Sequence, residues 1–263
     1  AGRLTYEAVS FLAPLRHSAP EFRGRVVIAE PEPGALWNHD PTIADTDARA
    51  LIARLGAEIR AFPCTQFGAS YPQGNKIEAL SVLEPEETFV FFDSDTLVLG
   101  DVSTVPFSRR PTASMARENT WPKPPLYGPG YGDIWGALYA RVGIEMENTL
   151  DRSFDADHWE HYLYFNAGWF TGPDARAFQT RMIEIMRSIL DDPPPELAAQ
   201  TILPWLDQIA LPLAVASFGG GRPGEELAGL DGDVTQHWRV MPIYYARAKA
   251  ADIATLEELT APN

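Results

Sequence analysis

Thr88-Phe-Val-Phe-Phe-Asp-Ser-Asp-Thr-Leu-Val-Leu-Gly100 is the stretch on which the reading of this chain turns. A parallel strand covered on both faces reads as an unbroken apolar run, and this run stops abruptly at Asp93 and Asp95, with the small Ser94 between them. Open α/β sheets bind ligands beyond the carboxyl ends of such strands. Two carboxylates at that place suit a hard cation, Mg²⁺ or Mn²⁺, and such an ion usually brings a phosphorylated substrate. The plainer reading is an acidic strand-to-turn corner whose carboxylates cap backbone N–H groups. The buried strand ahead of the pair favours the metal reading.

The segments before this run alternate between helix and strand. Leu4, Ala8, Leu12 and Leu15 fall at helical spacing and predict a first helix ending before Pro20. Arg25 to Ala29 reads as a strand, Ile43 to Gly56 as a helix, Glu58 to Phe62 as a strand and Asn75 to Leu83 as a helix stopped by Pro85. Such alternation predicts right-handed crossovers and a largely parallel sheet. The second half is different. Pro111 to Tyr131 is rich in Pro and Gly, Ile134 to Val142 reads as a helix, and Tyr162 to Thr171 as a strand broken at 166–168. Asp174 caps a strongly amphipathic helix reaching Leu190. A helix is expected around Trp205 to Ala210, a mobile Gly-rich loop over Phe218 to Gly232, and a late strand from Trp238 to Tyr245. No repeat or linker is visible. The expectation is a single α/β domain over 1–263, with a nucleotide or donor half at 1–105 and a sugar or acceptor half at 106–263.

Composition narrows the function classes. With 263 residues, 45% of them hydrophobic, the chain can bury a sizeable core. Its 21 Lys and Arg against 36 Asp and Glu give a formal net charge of −15, which argues against a nucleic-acid binder. An acidic protein that binds a diphosphate needs a counter-charge, and a divalent cation supplies one. Cys64 is the lone cysteine, so no intrachain disulfide forms and a reducing, cytoplasmic location is expected. The most apolar stretch, Ile209 to Phe218, is too short to cross a bilayer and contains Pro212, and the residues before Leu4 are not expected to form a signal peptide.

Three motifs in order carry a family resemblance. Asn75-Lys76-Ile-Glu-Ala-Leu80 followed by the Asp93-Ser94-Asp95 strand, then Tyr164-Phe-Asn-Ala-Gly-Trp169, then Trp205-Leu-Asp-Gln208 resemble the GT-A glycosyltransferases. Their order and spacing are similar to the glycogenin-like branch, which is retaining. The likeness spans about residues 75–215. It implies a Rossmann-type, mostly parallel sheet flanked by helices with an appended acceptor-side half, and a nucleotide-diphosphate sugar, favoured as a UDP-sugar, as donor. Asp95, and Asp93 directly or through ribose and water, would hold Mn²⁺ or Mg²⁺, with Ser94 in the same turn. Lys76 would contact the donor phosphates. Asn166 offers both a donor and an acceptor to sugar hydroxyls, and Gly168 permits close approach to the backbone; the plain alternative there is a β-bulge. Asp207 and Gln208 would line the transferred sugar, their side chains about 100° apart on a helix. The acceptor, whether glycan, lipid or protein, is left open, as is the base, for which Glu30 is one candidate.

Two departures qualify the likeness. The pattern places a late His as third metal ligand, followed by a Gly and a Lys-Pro-Trp run. His237 lacks those neighbours, so from its surroundings it reads as an ordinary residue before a strand, with the true ligand otherwise beyond Asn263. The family also opens with a strand that cradles the base, and none precedes Leu4. Trp121, Tyr127, Tyr131 and Trp135 are either acceptor-stacking rings on a closing loop or anchors to the core. His158 and His161 suit caps or packing better than a metal. Two rival functions remain: a haloacid dehalogenase-like phosphatase using Asp93 and Asp95, disfavoured by Leu97 where that family has Thr or Val, and a non-catalytic nucleotide-sugar-binding protein, disfavoured by the intact acidic pair.

Overall fold

A computed structural model describes residues 2–117, 120–238 and 241–260. In chain order the elements are α1 (Arg3–Ser18), β1 (Val27–Pro31), α2 (Thr46–Arg54), β2 (Glu58–Phe62), α3 (Asn75–Glu78), β3 (Phe89–Phe92), β4 (Thr96–Val98), β5 (Ala113–Ser114), α4 (Tyr131–Val142), β6 (Asn166–Gly172), α5 (Ala175–Asp191), α6 (Leu206–Ser217), β7 (Thr235–His237), α7 (Met241–Arg247) and α8 (Ala250–Thr260), with short 3-10 turns between them. The chain divides into two compact units. One gathers Ala1–Pro63, Phe92–Phe107 and Gly224–Asn263; the other gathers Cys64–Phe91 and Ser108–Pro223.

In the first unit, α1 buries Ala8, Leu12 and Leu15 as their spacing requires, whereas Leu4 is 54% exposed and lies outside the core. Arg16 at the end of α1 donates from Nε to Leu55 O and from Nη2 to Gly56 O. These carbonyls follow α2 and would otherwise lack partners. Asp45 caps α2 by accepting from Asp47 N and Ala48 N, so the helix starts at Thr46 and not at Ile43. Strands β1 and β2 pair in parallel, from Val27 opposite Glu58 to Pro31 opposite Phe62. This is the parallel pair that the helix–strand alternation implies. Strand β4 pairs antiparallel with β7. Successive side chains on a strand face opposite ways. Val98 accordingly joins Leu12, Leu15 and Ile52 in one cluster, and Leu97 joins Tyr244 and Leu256 in another. Leu97 and Val98 are both apolar because both faces of the strand are covered.

The late strand expected over 238–245 is not found. The strand is β7, ending at His237, and α7 begins at Met241; residues 239 and 240 lie outside the described residues. The Gly-rich segment is also not an open loop. Glu225–Asp231 forms a 3-10 turn whose Leu227 and Leu230 are buried, which anchors it.

In the second unit the sheet order is β3-β6-β5, with β5 antiparallel to β6. Every residue of β6 is buried. The stripe Phe178, Met182, Ile185, Met186 and Ile189 on α5 is buried too, and Phe178 packs on Phe170 and Phe89 at ring-centroid distances of 5.9 and 5.6 Å. Burying each such side chain contributes about 1.5–3 kcal/mol. Gly172 has no room for a side chain, since a Cβ there would come within 2.5 Å of the Phe89 ring. Asp174 does cap α5, accepting from Ala177 N at 2.9 Å. The helix expected at 205–210 continues to Ser217, absorbing the apolar stretch that includes Pro212. Glu78, 3% exposed, accepts from the backbone N–H groups of Thr65, Gln66 and Phe67, folding the chain before α3 around its carboxylate.

Candidate functional site

The turn after β3 and the end of β7 bring three side chains of the first unit together. Thr96 lies opposite His237 in the β4–β7 ladder, and Trp238 N donates to Asp95 O at 3.0 Å. This backbone pairing carries the imidazole to the acidic turn. His237 Nε2 lies 3.0 Å from Asp95 Oδ1 and 3.8 Å from Asp93 Oδ2. One ligand atom from each of the three lies within 4.8 Å of the others, and all three side chains are half-buried. The expectation that His237 is merely a residue before a strand is therefore corrected: it ends a strand and faces both carboxylates. Two carboxylate oxygens and one imidazole nitrogen are a donor set that fits a divalent cation. Ser94 points elsewhere. Its Oγ donates to Glu7 Oε2 at 2.8 Å, and Glu7, 5% exposed on α1, pairs with Arg3. Nothing in the sequence around Glu7 singles it out, because its partner is 87 residues away.

The second unit holds the other motif residues. Asp207, in the first turn of α6, is 3% exposed. Its Oδ2 lies 3.4 Å from Lys76 Nζ, and its Oδ1 accepts from Tyr71 Oη at 2.8 Å. The same hydroxyl accepts from Asp207 N at 2.9 Å, satisfying one of the N–H groups that a helix start leaves without partners. Burial, with the Asp207 carboxylate beside it, pushes the Tyr71 phenol well above its ordinary pKa, so it stays a donor. Lys76 Nζ also reaches Ala167 O at 3.4 Å and lies 5.8 Å from the centre of the Phe91 ring. Gln208 faces away from Asp207, as consecutive helix positions must, and its Oε1 accepts from Tyr164 Oη at 3.0 Å. Asn166 Oδ1 accepts from Gly168 N at 2.7 Å. The β5–β6 register jumps at this place, with Ala113 opposite Phe170 but Ser114 opposite Asn166. The break expected at 166–168 is a bulge pinned by the asparagine itself.

Lys76, Asp207 and Ala167 thus share one polar centre, joined by Tyr71, which carries no sequence signal of its own. The aromatics of the Pro/Gly segment separate. Trp121 and Trp135 are buried and meet edge to face at 5.4 Å, so they anchor the segment, while Tyr127 is 91% exposed. His158 bonds Glu160 through Nε2, and His161 bonds Phe154 O through Nδ1, so the two do not converge. Glu30 holds Ile43 N at 2.7 Å and Arg49 at 2.6 Å. No helix among the described residues is long and apolar enough to cross a membrane.

Comparison with known proteins places this geometry in context. No curated protein sequence matches the chain. Among solved structures, the galactosyltransferase LgtC in complex with donor and acceptor sugar analogues is similar in fold, with a TM-score of 0.54 at 12% identity over 99% of this chain and 94% of that one. At that identity the likeness speaks for the fold, which is the α/β GT-A fold. The sequence profile of the Rhodobacterales glycosyltransferase domain matches residues 1–219. The chain belongs to that family and is a glycosyltransferase.

Proposed function

We propose that the protein transfers a sugar from a nucleotide-diphosphate donor, with a UDP-sugar favoured, to a sugar-containing acceptor, and that transfer depends on Mn²⁺ or Mg²⁺ and retains the anomeric configuration. The observation that carries the reading is the convergence of Asp93, Asp95 and His237 at the carboxyl end of the apolar strand. Retention is assigned on the order of the three motifs. Family membership favours transfer over the phosphatase and the non-catalytic alternatives. The lone Cys64 favours a reducing, cytoplasmic location.

Asp93, Asp95 and His237 would hold the cation, which when bound supplies charge neutralisation to the diphosphate and Lewis-acid assistance to its departure. The chain's own residues do the rest. Ser94, tied to Glu7, fixes the turn so that the flanking carboxylates keep their separation. Lys76 is assigned to the donor phosphates by its motif position, with its ammonium held by the Asp207 carboxylate. Asp207, Gln208 and Asn166 are assigned to the transferred sugar, and Gly168 to close backbone approach. Tyr164 orients the Gln208 amide through its oxygen. A carboxylate or amide oriented in advance stabilises the positive charge that develops as the glycosidic bond breaks, without having to reorganise.

A thermal-shift panel of UDP-, GDP-, ADP- and CMP-sugars, each with and without Mn²⁺, tests the reading. A ligand that binds only the native state at 100 times its dissociation constant stabilises it by about 2.7 kcal/mol. One nucleotide series should raise the melting temperature, and chiefly with metal present. A donor shift of equal size with EDTA would remove the metal from the account.

A further inference from the structure

Two arginines in the second unit sit near one another and differ in how they are used. Arg222 is a strut: it donates from Nη1 to Thr149 O and from Nη2 to Glu160 O at 3.2 Å and His161 O at 3.5 Å, with Asp151 3.9 Å from its Nε. Arg117, just after β5, donates a single hydrogen bond among the described residues, from Nη1 to Tyr164 O at 2.8 Å. Its Cζ lies 4.4 Å from the centre of the Trp159 ring. Among the described residues no carboxylate lies within ion-pair distance of it. Glu160 is the opposite charge that acts on it, and that carboxylate is bonded to His158 Nε2 at 3.0 Å. Burial pulls the Arg117 pKa down to about 10, as befits a cation whose charge is incompletely answered.

The planar groups continue outward from this cation. Trp159 stacks on His158 at 5.8 Å and His158 on Phe154 at 5.1 Å. Phe154 is 36% exposed and Trp159 is half-buried. Among the described residues a packing role alone leaves most of the guanidinium donors of Arg117 unanswered in an acidic protein, which is a poor use of a desolvated charge. A guanidinium fork beside a partly open aromatic row suits a ligand with an anionic group on an otherwise apolar-faced ring.

We propose that Arg117 and the Phe154–His158–Trp159 row form a subsite for an acidic sugar: the carboxylate or phosphate pairs with the Arg117 fork, and a face of the sugar ring lies against the aromatic row. Its role as an acceptor subsite rests on the transferase reading above. The subsite shares a backbone link with the motif segment, because the Tyr164 that accepts from Arg117 through its carbonyl is the residue that holds Gln208 through its hydroxyl.

The test is direct binding of methyl β-glucuronide, methyl β-glucoside and glucose 6-phosphate, followed by saturation-transfer NMR and by Trp fluorescence. The acidic sugars should bind at least about tenfold tighter than the neutral glucoside, since one charge-assisted bidentate contact contributes about 1.5–3 kcal/mol. Their relative affinities tell carboxylate from phosphate. R117Q should remove that preference, R117K should restore part of it through charge without the fork, and W159L should weaken all the sugars. R117K also guards against a folding defect in R117Q. Equal binding of acidic and neutral sugars to the wild type, no binding of any, or a preference unchanged in R117Q would each overturn the proposal. Calorimetry with Mn²⁺ alone reports on Asp93, Asp95 and His237 separately. Glucuronide binding without Mn²⁺ binding would keep this subsite and sink the metal-dependent transferase reading.

Discussion

Asp95→Ala is expected to abolish metal-dependent sugar transfer while leaving a folded protein. The carboxylate is placed by its neighbours: His237 stands 3.0 Å from it, and the turn is fixed by the main-chain bond from Trp238 N to Asp95 O. That bond and the β4–β7 ladder do not involve the side chain, so truncation spares the architecture. What is lost is one of the two carboxylates proposed to hold the cation. Removing a single preorganised group that stabilises transition-state charge typically lowers kcat by about 10²–10³-fold, and a lost metal ligand should cost at least that much. Asp95→Asn, which keeps the shape and removes the charge, should behave similarly. Steady-state transfer rates with and without added Mn²⁺, beside circular dichroism and a cooperative melt, check this. Full activity in either variant would refute the assignment.

The largest stability effect is expected at Asp207. Its carboxylate is buried between the Lys76 ammonium and the Tyr71 hydroxyl, and Lys76 is itself mostly covered. Taking two charges out of water is costly, and their mutual attraction offsets that cost only while both are present. Asp207→Ala takes this carboxylate from the ammonium and leaves the Tyr71 hydroxyl only the Pro204 carbonyl, 3.0 Å away, as acceptor. A loss of about 3–5 kcal/mol follows for breaking a buried pair, read as a lower urea midpoint at unchanged slope. The double variant Lys76→Met with Asp207→Leu should be more stable than the sum of its single changes, because no unpaired charge remains. A loss below about 1 kcal/mol for Asp207→Ala would show the pair to be energetically idle.

Where local chemistry decides structure, the sequence is legible. Strand β2 spans Glu58–Phe62 as its composition indicates, Asp174 caps α5, and the apolar run does end at Asp93. Reading fails where burial is complete or pairing is distant. The α6 helix is buried on nearly every face beyond its first turn, so it shows no 3.6-residue stripe to extend it past Ala210. The segment after Trp238 is rich in aromatic and β-branched residues, which reads as strand. Tyr244 is nonetheless helical and packs with Leu97 and Leu256, so tertiary contact overrides propensity. The site divides in the same way. Asp93 and Asp95 announce themselves through one strand. His237 joins them only through a ladder that spans 142 residues of chain, and Tyr71 meets Asp207 across 136. No local pattern encodes pairings of that length.

Asp93, Asp95 and His237 are proposed to grip a cation that in turn binds the donor diphosphate. Crystals grown with Mn²⁺ and UDP and measured at the manganese absorption edge test it most directly. One strong anomalous peak is expected within bonding distance of all three side chains, lost in Asp95→Asn. A peak elsewhere, or a nucleotide bound with none at this cluster, would contradict it.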